Sequence, residues 1–323
     1  MLGFWEKLHK PVFVLAPMAD VTDAAFRRII VEIGKPDVMW TEFVSADGLA
    51  LAPEAGRKKL LKSLEYSETE RPIVAQFFTS HPENMKKAGK LARELGFDGV
   101  DINMGCPDRS VEKQGAGASL MKNVALAREL VRAAKEGAPD LPVSVKTRTG
   151  YNQPELEHWL SEILKEDVAM VTIHARTRKE MSKVPARWEF VRRAVEIRKA
   201  SGSETLIFGN GDVKDLKEAR IRVEETGCDG VMLGRAIFGN PWLFTELEPS
   251  LEDRLQILVK HTKLFEELLS GYKSFSIMKK HFKAYVTGFD GSGDLRSKLM
   301  NTNNAGEVEA IVSEFLKNRI IPE

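Results

Sequence analysis

Short apolar runs recur at residues 12–16, 38–42, 73–77, 99–103, 143–146, 169–174, 205–208 and 230–233, and most end in polar or glycine-containing turns. Their length and their aliphatic, β-branched content predict buried strands. Between them the apolar positions move to helical spacing, which predicts helices over about 24–33, 82–95, 124–135, 155–165, 188–200 and 215–226. Thr22 or Asp23 can cap the first of these, and Pro82 opens another. Strands that alternate with helices pair in parallel, because each crossover returns the chain in the same direction. Eight such strands predict an α/β fold, a (β/α)8 TIM barrel rather than an open sheet. After Pro249 the strand pattern stops. Amphipathic helices are expected over 251–269 and 275–286, and the polar run Asn301 to Asn304 caps a last one to about 317. The expected organisation is a barrel domain over 1–245 and a smaller, all-helical C-terminal domain over 246–323.

Charge changes this picture little in total but more in detail. The 48 Lys and Arg balance 47 Asp and Glu, so any nucleic-acid surface must be a local patch. Two such patches exist. Residues 176–198 carry eight basic side chains against three acidic ones, and residues 273–298 carry six against two. In the second, His281, Phe282 and Tyr285 interleave with Lys279, Lys280 and Lys283. Two cysteines, Cys106 and Cys228, make no disulfide framework, and a reducing cytoplasm is the default compartment. The start of the chain has no signal-peptide pattern and no apolar run reaches membrane-spanning length, so no membrane partner is expected. The six histidines form no ligand-spaced pair, so no metal is expected. No obligate protein partner is evident.

The chemistry-bearing residues sit where the predicted strands end. Ala16-Pro17-Met18, Glu42, Gln76, Asn103, Cys106, Lys146, His174, Asn210-Gly211-Asp212 and Gly234-Arg235 all fall there. In a barrel of this class those ends form one active-site mouth. Glycines after the last two strands let the backbone approach an anion, and Arg235 adds a forked contact suited to phosphate. Gln76 and Asn103 offer amides that both donate and accept, matching a pyrimidine-like edge. Lys146 either faces an anionic ring in the mouth or is neutralised by Glu42 or Asp101. His174 is either a core histidine or, beside Arg176 and Arg178, an anion contact. Cys106 reads either as a buried thiol in a tight turn or as a positioned acid, with Lys113 and the Gly115–Gly117 backbone nearby. Cys228 reads as packing.

These motifs resemble the tRNA-dihydrouridine synthases. The resemblance is carried by residues 15–23 (LAPMADVTD), 101–107 (DINMGCP), Lys113 with the 115–118 glycine run, 145–148 (VKTR), 174–178 (HARTR), 209–212 (GNGD) and Gly234-Arg235. It departs from the family at Asp20, where glycine is usual, and at Ser182 and Val184, where the family places Tyr and Gly before the Trp that is Trp188 here.

The resemblance implies a flavoenzyme that uses FMN as cofactor and NADPH as reductant. FMN contacts then fall on Ala16, Pro17, Met18, Gln76, Lys146, His174, Asn210, Gly211, Asp212, Gly234 and Arg235. Substrate contacts fall on Asn103, Lys113, Arg148, Arg176 and Arg178, and the partner is tRNA, held in part by the helical tail. The implied reaction places a hydride on uracil C6 and a proton from Cys106 on C5, with the target uridine unstacked from its loop. Two other readings remain open at this point. One is an FMN barrel dehydrogenase acting on a free pyrimidine, of the dihydroorotate type. The other is a catalytically inactive RNA-binding barrel.

Overall fold

The computed structural model describes residues 2–245 and 247–320. Nine strands appear in chain order: β1 (Val12–Leu15), β2 (Met39–Trp40), β3 (Val44–Ser45), β4 (Ile73–Phe78), β5 (Gly99–Asn103), β6 (Val143–Arg148), β7 (Met170–His174), β8 (Leu206–Asn210) and β9 (Gly230–Leu233). Every pairing is parallel, in the order β1-β9-β8-β7-β6-β5-β4-β2, with β3 also on β4. A bridge between Val14 and Val38 brings the two ends together, so the sheet closes into the expected eight-position barrel. The second predicted strand is shorter than its apolar run. Thr41 Oγ1 accepts the Gln76 N–H at 3.2 Å, which interrupts the ladder before β3 resumes it.

Chain contacts divide the molecule into two compact units: residues 1–19 with 36–234, and residues 20–35 with 235–323. In the first unit, side chains two residues apart along each strand share a face. Val12, Val14, Val38, Trp40, Val74, Met170, Leu206, Phe208 and Met232 form one buried apolar cluster. Trp5, on the short turn Gly3–Lys7, joins it with its ring 5.6 Å from Phe208 and 6.0 Å from Trp40. The amino ends of the strands are therefore plugged with large rings. Continuing along the same faces towards the carboxyl ends, the side chains become Gln76, Asp101, Asn103, Ser144, Lys146, His174 and Asn210.

The helices follow their caps. Asp23 rather than Thr22 caps Ala24–Gly34, accepting from Phe26 N at 3.0 Å, and Pro82 takes the first turn of Pro82–Glu94. Two helices, Ala46–Leu51 and Glu54–Lys62, occupy a stretch where the sequence shows no clear stripe. The second buries no residue, so no apolar periodicity marks it.

The second unit is helical: Ala24–Gly34, Leu251–Leu269, Met278–Tyr285, Ser292–Leu299 and Ala305–Ile320. Phe26 stacks on His261 with ring centres 4.7 Å apart, and His261 meets His281 edge-on at 4.7 Å. His281, Phe282 and Tyr285 are all core, while Lys280 and Lys283 on the same helix are exposed. The aromatics interleaved with lysines therefore pack inward and do not offer stacking faces. Lys279, Lys280, Lys283 and Arg296 line a recess of about 470 Å³.

Burial holds His261 well below its usual range, with His281 adding to the effect, and brings His281 down to about 3, with Lys280 adding to it. Both rings are thus neutral when folded, and the unfolded chain takes up the protons. Stability is full above the unfolded value near 6.5 and is lost as pH falls below it, at ~1 kcal/mol per histidine per pH unit. Urea unfolding at pH 7.5 and 5.5 checks this. The midpoint is expected to drop at pH 5.5, and His281→Phe should remove about half of the histidine-dependent part of that drop.

Candidate active site

Five neighbouring strands aim polar side chains into the barrel above its apolar floor. Gln76 on β4, Asp101 on β5 and Ser144 on β6 lie in register, one residue per strand. Asp101 is fully enclosed. One of its carboxylate oxygens accepts from Ser144 Oγ, and the other accepts from Gln76 Nε2 at 2.5 Å. Two residues further along β5, Asn103 Nδ2 donates to Gln76 Oε1 at 3.0 Å. The remaining Asn103 oxygen accepts the backbone N–H groups of Gly105 at 3.1 Å and Cys106 at 2.9 Å. Burial raises the Asp101 carboxyl to about 6, against the lowering effect of Ser144, Gln76 and the Lys146 charge.

The loop that leaves β5 carries Cys106 at the edge of the mouth, only partly covered. Asp108 caps the short helix Arg109–Glu112 behind it. Gly117 closes the loop from below. Its φ is +61°, and a Cβ there would stand 2.8 Å from the Cys106 carbonyl oxygen. Burial pushes the Cys106 thiol above its ordinary value, opposed by a backbone hydrogen bond from Asp108 and by Arg148 and Lys146. The sulfur is therefore held protonated at neutral pH, as a proton donor requires.

Lys146 stands beside Asn103 in the β5–β6 register, and its ammonium donates to Asn210 Oδ1 at 3.2 Å. Asn210 Nδ2 in turn donates to Met232 O at 2.7 Å. Burial, with Arg148 adding to it, lowers Lys146 to about 8. Ala16 and Pro17 are buried at the end of β1, and Met18 is partly covered. Gly234 leaves room beside them, since a Cβ there would meet Ala16 Cβ at 3.7 Å and Met18 Sδ at 3.9 Å. A cation, an amide and apolar side chains brought together at these strand ends suit an anionic, flat heterocycle. Among the described residues there is no group of three or more His, Cys, Asp or Glu that could hold a metal ion. Nor is any helix among them long and apolar enough to cross a membrane.

The arginines named from sequence are engaged with the protein. Arg148 donates to the carbonyls of Gly105, Thr177 and Met181, at 2.8, 3.1 and 3.1 Å. Arg176, almost fully buried, donates to Val184 O at 2.6 Å, to His174 Nε2 at 3.1 Å and to Asp212. Arg178 clasps Glu112. Arg187 and Arg193 likewise pair with Glu180 and Glu157. Much of the basic surplus at 176–198 is thus tied to acidic partners, Glu180 within the segment and Glu112, Glu157 and Asp212 from other parts of the chain. Lys113 is exposed beside the Cys106 loop, and Arg235, the first residue of the short turn Arg235–Ile237, is exposed in the second unit.

A sequence model described as Dihydrouridine synthase (Dus) matches residues 14–320. This chain belongs to the dihydrouridine synthase family. It is 43% identical over 318 residues to a protein named probable tRNA-dihydrouridine synthase 2 from Bacillus subtilis (strain 168), covering 97% of this chain and 96% of that one. It is 40% identical to a probable tRNA-dihydrouridine synthase from Staphylococcus aureus (strain MRSA252), covering 97% and 95%. Among solved structures, histamine dehydrogenase from Rhizobium sp. 4-9 superposes with a TM-score of 0.53 at 14% identity, over 78% of this chain and 48% of that one. That likeness concerns the barrel fold.

The sequence reading set Gln76, Asn103, Lys146 and Asn210 at strand ends, where the structure has them, but missed what holds them. Ser144 was passed over, and Asp101 was seen only as a possible neutraliser of Lys146. The available signal was two polar residues at i and i+2 on a strand with no exposed face. Asp47 was also missed; it accepts from Thr79 Oγ1 at 2.6 Å and Asn84 Nδ2 at 2.7 Å, tying the β3 end to the β4 end.

Gly211, at the β8 end, has φ +130°, and a Cβ there would lie 2.8 Å from Ala186 Cβ. Gly211→Ala is expected to destabilise the fold by about 2–4 kcal/mol from backbone strain and overpacking together. Urea denaturation followed by circular dichroism measures it, and an unchanged midpoint would contradict the geometry.

Proposed function

We propose that this chain reduces the 5,6 double bond of a uridine in transfer RNA, with FMN as its cofactor and NADPH as the reductant. The observation that carries this reading is a partly exposed, protonated thiol, held by Asn103 at the rim of a mouth to which the neighbouring strand β6 brings the Lys146 ammonium. When bound, reduced FMN supplies the hydride that uracil C6 receives.

The chain's own residues do the rest. Lys146 and Asn210 would hold the isoalloxazine by charge and hydrogen bonding, together with Ala16, Pro17, Met18 and Gln76. His174, Gly211, Asp212 and Gly234 would serve the ribityl phosphate. Cys106 delivers its proton to uracil C5 from the face opposite the ring. A thiol with a raised pKa gives up that proton only to a developing carbanion, which suits the second half of an addition across a double bond. Asn103 holds the donor loop and would meet the base edge. Arg148, Arg176 and Arg178 shape the substrate side of the mouth, and Lys113 is an exposed cation beyond the donor loop, one turn after the exposed Arg109. The barrel orders ring, base and thiol in line, which is the protein's share of the catalysis.

In the second unit, the lysine-lined recess offers a surface for phosphates of the same RNA. Two free cysteines accord with a cytoplasmic location.

Cys106→Ala tests the reading. The variant is expected to keep its flavin absorption bands and lose turnover by about a hundredfold or more, the range of a missing general acid. Dihydrouridine in transfer RNA, measured by mass spectrometry, is the readout. Undiminished dihydrouridine would remove Cys106 from the mechanism, and purified parent protein without flavin bands would remove the cofactor assignment.

A further inference from the structure

We propose that Asp101 is a positioning residue for the Cys106 thiol, acting through the side-chain amides of Gln76 and Asn103. The argument is one of hydrogen-bond direction. An ionised carboxylate only accepts. Asp101 therefore compels Gln76 to turn its NH2 towards it, as the 2.5 Å contact has it. Gln76 then has only its carbonyl oxygen left to face Asn103, which must answer with its own NH2, at 3.0 Å. That leaves the Asn103 oxygen pointing at the Gly105 and Cys106 N–H groups. Reversing either amide would set donor against donor at the loop or acceptor against carboxylate at the floor. Only one arrangement satisfies every buried group, and the carboxylate selects it.

The route is physically short and rigid. Gln76, Asp101 and Ser144 occupy one register row of three adjacent strands, and Asn103 is the next residue on the same face of β5. Ser144 supplies the second donor and holds the carboxylate from the other side. All four side chains are buried. The thiol loop thus inherits its orientation from a group that need not touch substrate or cofactor. Asp101 also lies close enough to Lys146 for their charges to interact, so a charge role has to be separated from the directional one.

This inference rests on the reading of Cys106 as the proton donor for its functional meaning, but its test does not. Iodoacetamide alkylation of Cys106 in the full chain, resolved from Cys228 by peptide mass spectrometry, reads the thiol's setting without turnover. Asp101→Ala is expected to raise the alkylation rate on the order of tenfold and to cut uridine reduction by up to about a hundredfold, as a displaced catalytic group does. Asp101→Asn keeps an oxygen to face Gln76 while removing the charge. It should stay close to the parent in alkylation, and a loss equal to that of Asp101→Ala would assign the effect to charge and overturn the relay.

Gln76→Leu cuts the connection in the middle and should reproduce the rise. In that background Asp101→Ala should add nothing, because the two act in series. Additive effects, or an alkylation rate in Gln76→Leu unchanged from the parent, would overturn the proposal. The Gln76→Leu result stands even if Asp101→Ala fails to fold. Were Cys106→Ala to retain full turnover, the proton-donor reading would fall while the alkylation cycle still decided the relay.

Discussion

A carboxylate enclosed in a barrel constrains everything around it. Taken out of water, Asp101 needs donors on each oxygen, and it needs them at one height in the sheet. Parallel strands in fixed register can supply this, since neighbours at the same level present one side chain each. Ser144 and Gln76 fill those positions, and the Lys146 charge lies within electrostatic reach. Below this level the barrel is apolar and plugged by Trp5, Trp40 and Phe208. Above it the side chains are those of the mouth. The carboxylate marks the boundary between a packed floor and a working surface, and the hydrogen bonds that satisfy it rise towards the Cys106 loop.

The rim is assembled by a second device. Arg148 on β6 reaches the carbonyls of Gly105 after β5 and Thr177 after β7, Trp188 Nε1 reaches Gly211 O after β8 at 3.0 Å, and Arg176 ties its own loop through Val184. The Arg148 and Trp188 bonds keep each loop at a set distance from its neighbour. Burial takes Arg148 down to about 10, a sign of how far it has been drawn from water to do this. Exposed pairs such as Arg193 with Glu157 contribute little by comparison, because solvent screens them.

Much of this was legible beforehand, for a physical reason. A parallel strand in a barrel is buried on both faces and reads as a compact apolar run, so eight strands could be counted from the sequence. Strand ends follow from where those runs stop, and that placed Cys106, Lys146 and Asn210 at a common mouth. Helices with a buried stripe were equally plain, whereas Glu54–Lys62, which buries nothing, had no pattern to betray it. The interruption after Trp40 depends on the Thr41 hydroxyl capturing a ladder N–H, which periodicity does not encode. Least legible were partnerships. Gln76 and Asn103 were recognised as amides fit for a base edge, but their orientation depends on Asp101 and Ser144, and only register reveals those neighbours. The arginines of 176–178 looked like open anion contacts for the same reason, since their acidic partners Glu112 and Asp212 lie tens of residues away.

The helical unit takes one of its members, Ala24–Gly34, from near the start of the chain and the rest from after residue 235. Phe26 on that early helix stacks against His261, some two hundred positions downstream. The tail is therefore not a cassette. A gene fragment cut after the last strand would yield helices with an uncovered aromatic seam, and grafting that fragment onto another barrel would require the recipient to bring a matching helix after its own first strand. Exchange of helical tails between such enzymes, by recombination or by design, has to carry both pieces at once.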